Sequence, residues 1–197
     1  MIYFDHAATT PVRPEVVAVI QESLIEDYGN PSSTYALGRQ TRQHIDQARR
    51  IFAASIKADP ADIIITSCGS ESNNTAIIPT ALALKGKGKH LITSAAEHHA
   101  VLHPMHYLEE LGFEVTYLSV DDTGRVTLQS VMDAVREDTI LVSLMYANNE
   151  VGSINPIAEI GSFLAENNIL FHTDAVQAFG SETIDVRQQH IDLLSVS

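Results

Sequence analysis

Short apolar runs alternate with longer amphipathic stretches along most of this sequence, and this alternation is the strongest constraint on its fold. The apolar runs, most of them rich in β-branched residues, lie at 63–66, 90–93, 115–118, 140–144, 169–172 and 193–196. Helix-like stretches lie at 13–26, 36–54, 71–85, 98–111, 127–136 and 157–167. Strands that are apolar on both faces are covered by helices on both sides. The sequence therefore predicts a three-layer α/β fold with a mostly parallel sheet.

The acidic composition argues against several classes of partner. Twelve Lys and Arg against 25 Asp and Glu give a formal net charge of −13. Such a chain repels nucleic-acid phosphates and anionic lipids. No apolar run approaches the ~18 residues needed to cross a bilayer, and residues 1–6 lack the features of a signal peptide. We therefore expect a cytoplasmic protein that binds neither nucleic acid nor membrane.

Polar residues follow the ends of the predicted strands, where open parallel sheets bind their ligands. Gly69 and Ser70 precede a helix expected to open at Glu71. Free backbone N–H groups and the serine hydroxyl would form a phosphate cradle there, the alternative being an ordinary serine N-cap. Asp174 ends a buried strand, where a carboxylate needs a cation. That cation could be an arginine or the protonated ring nitrogen of a cofactor, and Gln177 could reach the same ligand.

Two further loops carry side chains suited to a planar ligand. His98 could lie flat against an aromatic ring. Asn148 and Asn149 could donate to a ring hydroxyl, although asparagine also suits left-handed turns. A ring that stacks, amides for a ring hydroxyl, a phosphate cradle and a carboxylate for a pyridinium nitrogen are together the groups that would bind pyridoxal 5′-phosphate (PLP).

The histidines at 99, 103 and 106 have the helical spacing of a metal site. Pro104 is expected to interrupt that helix, and neither a cysteine nor a paired carboxylate completes a tetrahedral set. We therefore expect no metal.

Six motifs in order carry a resemblance to a known family. They are YFDHAATTP at 3–11, GNPSS at 29–33, ESNN at 71–74, EHHAVL at 97–102, NNEVG at 148–152 and HTDAVQ at 172–177. On these motifs the sequence resembles the cysteine desulfurases of the iron–sulfur-cluster and nitrogen-fixation type. These enzymes are class V aminotransferases of PLP fold-type I.

The resemblance implies a role for each candidate residue. Those expected to contact PLP are Gly69, Ser70, His98, Asn149, Asp174, Gln177 and Ser197. Gly69, Ser70 and Ser197 would bind the phosphate. His98, also the catalytic candidate, would stack on the ring, and Asp174 would keep the ring nitrogen protonated. Asn149 and Gln177 would contact the ring oxygen.

The implied reaction converts L-cysteine to L-alanine. The sulfur would pass as an enzyme persulfide to an iron–sulfur scaffold or another acceptor protein, and the enzyme would be a homodimer. A selenocysteine lyase-like enzyme of the same class is the nearest alternative.

The sequence departs from the family pattern at three places. Tyr35 stands where a histidine is usual, and Cys68-Gly69-Ser70 replaces Gly-Ala-Thr. Cys68 is expected to be a small packed thiol. The family supplies its Schiff-base lysine and persulfide cysteine after the position of Ser197. We therefore expect this chain alone to be inactive, and a truncated module that only binds PLP or dimerises is a further alternative.

The resemblance also implies a domain organisation. Residues 1–12 would form an N-terminal segment and 13–197 most of the large PLP domain, with the C-terminal small domain absent from this chain.

Overall fold

The computed structural model describes residues 2–197 and divides the chain into two compact units, which meet in sequence at Ile63 and Ile64. This division falls within the stretch 13–197 for which one domain is predicted. All of the candidate ligand-binding residues belong to the second unit.

The first unit contains two helices and a short 3₁₀ turn. Helix α1 spans Pro14–Glu26, helix α2 spans Ala36–Ile56 and the turn spans Pro60–Asp62. Pro14 at the start of α1 is favourable because its missing N–H would be unpaired there in any case. The α2 residue Arg49 donates to the carbonyl of Ile63, which ties the end of this unit to its longer helix.

A five-stranded parallel sheet forms the centre of the second unit. The strands are β1 His90–Ser94, β2 Glu114–Leu118, β3 Thr139–Ser143, β4 Leu170–Asp174 and β5 Leu193–Ser195. Their order is β2-β1-β3-β4-β5, and every neighbouring pair is parallel. Since the strands run the same way, their carboxyl ends lie along one edge.

Four helices flank this sheet. They are α3 Gly69–Leu84, α4 His99–Glu110, α5 Leu128–Ala134 and α6 Ile157–Glu166. Ile77 of α3 and Met105 of α4 share a buried cluster with Leu91 of β1 and Leu141 of β3. Helix α5 contacts β2, helix α6 contacts β4, and the two helices contact each other. The predicted α/β fold with a parallel sheet is confirmed.

Two local predictions were wrong. The apolar run 63–66 is not a strand: Ile64 is 73% exposed and Ile65 62% exposed, and no strand pairing among residues 2–197 includes them. Periodicity detects an apolar segment but not whether a neighbouring strand is there to pair with it. Pro104 does not interrupt α4, which runs through it to Glu110. Its lost hydrogen bond is offset because Val101, Met105 and Leu108 of the helix are fully buried.

Candidate functional site

Backbone hydrogen bonds align the ends of three adjacent strands. Asp174 pairs in register with Ser195, and the amide of Ala175 donates to the carbonyl of Ser195 at 2.8 Å. On the other side, the amide of Tyr146 donates to the carbonyl of Asp174, also at 2.8 Å. The loops that follow β3, β4 and β5 therefore lie side by side, with Asp174 in the middle.

The carboxylate of Asp174 is buried without a cation. It is 7% exposed; its Oδ2 accepts from Asn73 Nδ2 at 2.7 Å, and its Oδ1 accepts from the amide of Val176 at 3.0 Å. The ion pairs formed within residues 2–197 do not include it. The arginine partner considered from the sequence is thus absent there, and an amide of α3 holds the carboxylate instead.

Helix α3 begins beside the same loops. A Cβ added to Gly69 would lie 3.1 Å from Val176 Cγ2 and 3.4 Å from Ser197 Cβ. The start of α3 is therefore close to the turn after β4 and to the residue that follows β5. The first N–H groups of a helix have no acceptor within it and carry partial positive charge. This corner can bind a small anion.

The sequence placed the start of α3 two residues too late. The helix begins at Gly69, with Cys68 as its N-cap residue, so Ser70 lies inside the first turn and is not the cap. At this N-terminus the side chain of Glu71 bonds back to the preceding loop instead, because its Oε2 accepts from the amide of Ser67 at 2.5 Å. Hydrogen bonds from the side chain and from the backbone of Ser67 lower the pKa of Glu71. The exposed hydroxyl of Ser70 is not used in capping the helix.

Cys68 is exposed and not packed, contrary to the sequence prediction. The backbone N–H of Glu71 and the hydroxyl of Ser67 lower the pKa of its thiol.

His98 is the N-cap residue of α4 and is exposed. Its Nδ1 accepts from the amide of Ala100 at 3.1 Å. The cap holds the imidazole at the start of α4, where its ring centroid is 6.1 Å from that of His99. Three residues separate His98 from the end of β1, which puts it on the same edge of the sheet as Asp174.

The two asparagines after β3 have different roles. Asn148 is buried and shapes the turn, because its Oδ1 accepts from the amides of Glu150 and Val151 and its Nδ2 donates to the carbonyl of Ala96 at 3.1 Å. Asn149 is half-buried, and its Nδ2 donates to Glu150 Oε1 at 3.2 Å. Gln177 is half-buried in the turn after β4. Asn148 is therefore a turn residue through its side chain, but neither Asn148 nor Asn149 has the left-handed backbone that the alternative assumed.

A buried chain of hydrogen bonds lies beneath this edge, and the sequence analysis missed it. Ser143 Oγ is 2.7 Å from His172 Nδ1, His172 Nε2 is 3.0 Å from Ser195 Oγ, and Ser72 Oγ donates to Ser195 Oγ at 2.9 Å. The chain links β3, β4 and β5 to α3. Complete burial lowers the pKa of His172 to about 3, so the imidazole is neutral. Strand alternation, which puts His172 on the same face as Asp174, was the available signal.

Glu97 is the second residue that the sequence analysis missed. It is 7% exposed, and its Oε1 accepts from the amide of Met145 at 2.9 Å. Its Oε2 and the Oδ1 of Asn73 are both buried without a hydrogen-bond partner among the described residues. Burial raises the pKa of Glu97 to about 8, and the negative charge of Asp174 acts in the same direction.

Histidines 99 and 103 lie on one exposed face of α4, with ring centroids 5.3 Å apart. Within residues 2–197, no group of three or more His, Cys, Asp and Glu side chains is arranged to hold a metal ion. No helix in that same range is both long and apolar enough to cross a membrane.

The donor set fits PLP. A buried carboxylate without a cation suits a protonated ring nitrogen, and the N–H groups of α3 beside Ser197 suit a phosphate. The exposed imidazole of His98 suits a planar heterocycle.

The family model described as aminotransferase class-V matches residues 2–197. The chain belongs to the class-V aminotransferase family. Among curated proteins it is 53% identical to the putative cysteine desulfurase IscS 1 of Bacillus subtilis (strain 168) and 52% identical to the cysteine desulfurase IscS of Methanosarcina thermophila. Both matches cover 100% of this chain, but only 52% and 48% of the relatives. This class-V chain therefore spans about half the length of those relatives.

Solved structures of the same family have the same fold. A structure described as SspA in complex with cysteine matches with a TM-score of 0.96 and 40% identity, over 100% of this chain and 57% of that one. A NifS-like protein matches with a TM-score of 0.95 and 37% identity, over 100% and 54% of the two chains. The predicted membership of the class-V family and the predicted fold are both confirmed.

Proposed function

We propose that this chain is the cofactor-binding half of a PLP-dependent cysteine desulfurase, which converts L-cysteine to L-alanine and passes the sulfur to an acceptor. The observation that carries the proposal is the buried, cation-free carboxylate of Asp174 beside the amino end of α3. The names of the relatives support the activity, and the structure described as containing cysteine supports the substrate.

The proposed contacts combine the positions of the side chains with the roles that the family resemblance implies. Asp174, held in place by Asn73 Nδ2 and the amide of Val176, would accept a hydrogen bond from the ring nitrogen and keep it protonated. His98 would cover one face of the ring. Asn149 and Gln177 would orient the ring through its oxygen. PLP supplies an electron sink when its ring nitrogen is protonated, which is why the charge of Asp174 is the central requirement.

The start of α3 would bind the phosphate. The backbone N–H groups at Gly69 and Ser70 would donate to it, with the exposed Ser70 hydroxyl and Ser197 beside them. Gly69 suits this position because the absence of a Cβ lets Val176 and Ser197 lie close to the start of the helix. A side chain there would meet Val176 at 3.1 Å and compete for the same space.

The complete reaction also needs a lysine to hold the cofactor and a cysteine to accept the sulfur. The family resemblance places both after Ser197, so we propose that they belong to the rest of the protein. We also propose that the protein acts as a homodimer and delivers sulfur to an iron–sulfur scaffold or another acceptor protein. Cys68 is not proposed as the sulfur carrier, because it lies at the phosphate end of the site.

Titration with PLP, followed by absorbance and fluorescence, tests the cofactor assignment. Asp174→Asn should weaken PLP binding about 10- to 100-fold, since a charge-assisted hydrogen bond contributes roughly 1.5–3 kcal/mol. Asp133→Asn, which removes an exposed carboxylate from α5, is the matched control and should leave binding unchanged. Equal PLP affinity in Asp174→Asn and the unmodified protein would refute the assignment.

Alanine release tests the activity. The full-length protein with PLP should release alanine from L-cysteine and leave sulfide or a persulfide. Binding of PLP without alanine release would reject the desulfurase activity and leave the non-catalytic module. Release of alanine from selenocysteine but not from cysteine would identify the selenocysteine lyase-like alternative.

A further inference from the structure

Glu97 joins two loops of the proposed site. It lies one residue before His98, and its Oε1 accepts from the amide of Met145 in the segment that leads to Asn149. Asn148 Nδ2 makes a second link between the same loops by donating to the carbonyl of Ala96. The positions of the stacking ring and of the half-buried asparagine therefore depend on a contact made by Glu97.

The surroundings of Glu97 disfavour a charged carboxylate. A buried carboxylate with one hydrogen bond is costly, because its second oxygen has lost water without gaining a donor. Glu97 Oε2 is in that state among the described residues. The charge that acts on Glu97 from β4 is that of Asp174, which has the same sign.

The other titratable groups nearby do not supply a compensating charge. His98, next along the chain, is exposed and uses Nδ1 as the acceptor of its helix cap. His172, two residues before Asp174 on β4, is neutral because of its burial. The hydroxyl of Tyr146, next to Met145, accepts from Gln189 Nε2 at 2.9 Å.

We propose that Glu97 is a positioning residue that links the His98 loop to the Asn149 loop and remains a neutral carboxylic acid. Asp174, at the end of β4, is then the buried negative charge beside these loops. The claim that these two loops hold a cofactor rests on the proposed function. The claim about the protonation state rests on this chain alone. A neutral Glu97 preserves the link through Oε1 without adding a second charge beside the carboxylate that must face a cation.

The pKa of about 8 for Glu97 agrees with this geometry and sets the pH range of the test. The folded-state pKa lies above the ordinary value of 4.5, so the folded state holds its proton more tightly than the unfolded state. The stability that the bound proton of Glu97 contributes is complete below pH 4.5 and is lost as the pH rises towards 8. A side chain that is always neutral avoids this loss.

Glu97→Gln tests the protonation state in the ligand-free protein. Between pH 5 and pH 7 the unfolding constant of the unmodified protein should rise by about 70-fold relative to that of the variant. Glu137→Gln, at an exposed glutamate after α5, is the matched control and should show no such relative rise. Parallel pH profiles for the unmodified protein and Glu97→Gln would overturn the proposal.

Infrared spectroscopy of the unmodified protein gives the same answer without a variant. The carbonyl stretch of a buried protonated carboxyl should be present at pH 6 and disappear by pH 10. Absence of that band at pH 6 would overturn the proposal even if Glu97→Gln failed to fold.

PLP affinity tests the positioning role. Glu97→Ala loses the link to Met145 and should bind PLP at least tenfold more weakly than Glu97→Gln, which keeps an acceptor in place. Equal affinities would reject the positioning role. If no form of the protein binds PLP, the proposed function fails, while the pH profiles and the infrared band still decide the protonation state.

Discussion

The buried hydrogen-bond chain at His172 predicts a stability loss in mild acid. His172 contacts Ser143 and Ser195 through its two ring nitrogens, and it is completely buried, so a charged imidazole would be cut off from water. Its pKa of about 3 lies below the ordinary value of 6.5, so the unfolded chain takes up a proton that the folded protein rejects. The stability that His172 contributes is therefore complete above pH 6.5 and is lost as the pH falls towards 3.

The size of this loss follows from the two pKa values. One pKa unit corresponds to about 1.4 kcal/mol. Moving from pH 7 to pH 5 should therefore lower the free energy of unfolding by about 2 kcal/mol through His172. For a chain of this length the loss corresponds to a decrease of about 4–8 °C in melting temperature.

The perturbation is His172→Asn, which keeps a polar side chain that does not titrate. Urea unfolding of the variant and the unmodified protein, followed by circular dichroism from pH 5 to pH 7.5, measures the difference in stability. The variant should be less stable at pH 7.5 because it fills less of the buried space, and this difference should shrink by about 2 kcal/mol at pH 5. Contributions from Glu97 cancel because both proteins contain it.

His103→Asn, at an exposed histidine of α4, gives the baseline for removing a surface histidine. A difference between His172→Asn and the unmodified protein that stays constant from pH 5 to pH 7.5 would refute the reasoning. It would mean that the folded protein accommodates a protonated His172 at little cost.

Two further substitutions test close packing and the support of Asp174. Gly161→Ala should destabilise the protein by about 1–3 kcal/mol or more, because the added Cβ would collide with the carbonyl oxygen of Gln189. Gly86→Ala, which meets nothing within 4 Å, is its control in urea unfolding, and equal midpoints would refute the prediction. Asn73→Ala should cost about 1.5–3 kcal/mol by leaving Asp174 Oδ2 without a donor. Asn74→Ala loses only an exposed bond and should cost less than about 0.5 kcal/mol, so similar losses in both variants would contradict this account.

The fold was predictable because its main signals are local. The strands at 90–94, 114–118, 139–143 and 170–174 overlap the predicted apolar runs, and Gly112, at a φ of +85°, ends the second helix of the sheet unit as a glycine can. The edge of the sheet on which the candidate residues lie was predictable for the same reason, since parallel strands bring their carboxyl ends together. Asp174 and His98 could therefore be selected from their places after strands.

Most of the errors and omissions depend on contacts that lie beyond the local chain. Ile64 and Ile65 have the composition of a strand, but pairing needs a neighbour that composition cannot reveal. Pro104 weakens a helix locally, and only the burial of the surrounding apolar residues shows that the helix continues. Cys68 is exposed although a lone cysteine is commonly buried, because it lies at the N-terminus of a helix on the open edge.

The sequence by itself determined the order of the helices and of the five paired strands, the edge at which the candidate residues lie and the family to which the chain belongs, because periodicity and motif order are properties of neighbouring residues. Tertiary structure alone decided that Asn73 holds Asp174, that His172 is neutral and that Glu97 has one unpaired oxygen. The physical reason is that protonation and hydrogen bonding depend on burial and on partners, and these partners lie 101 residues from Asp174 and 48 residues from Glu97 along the chain.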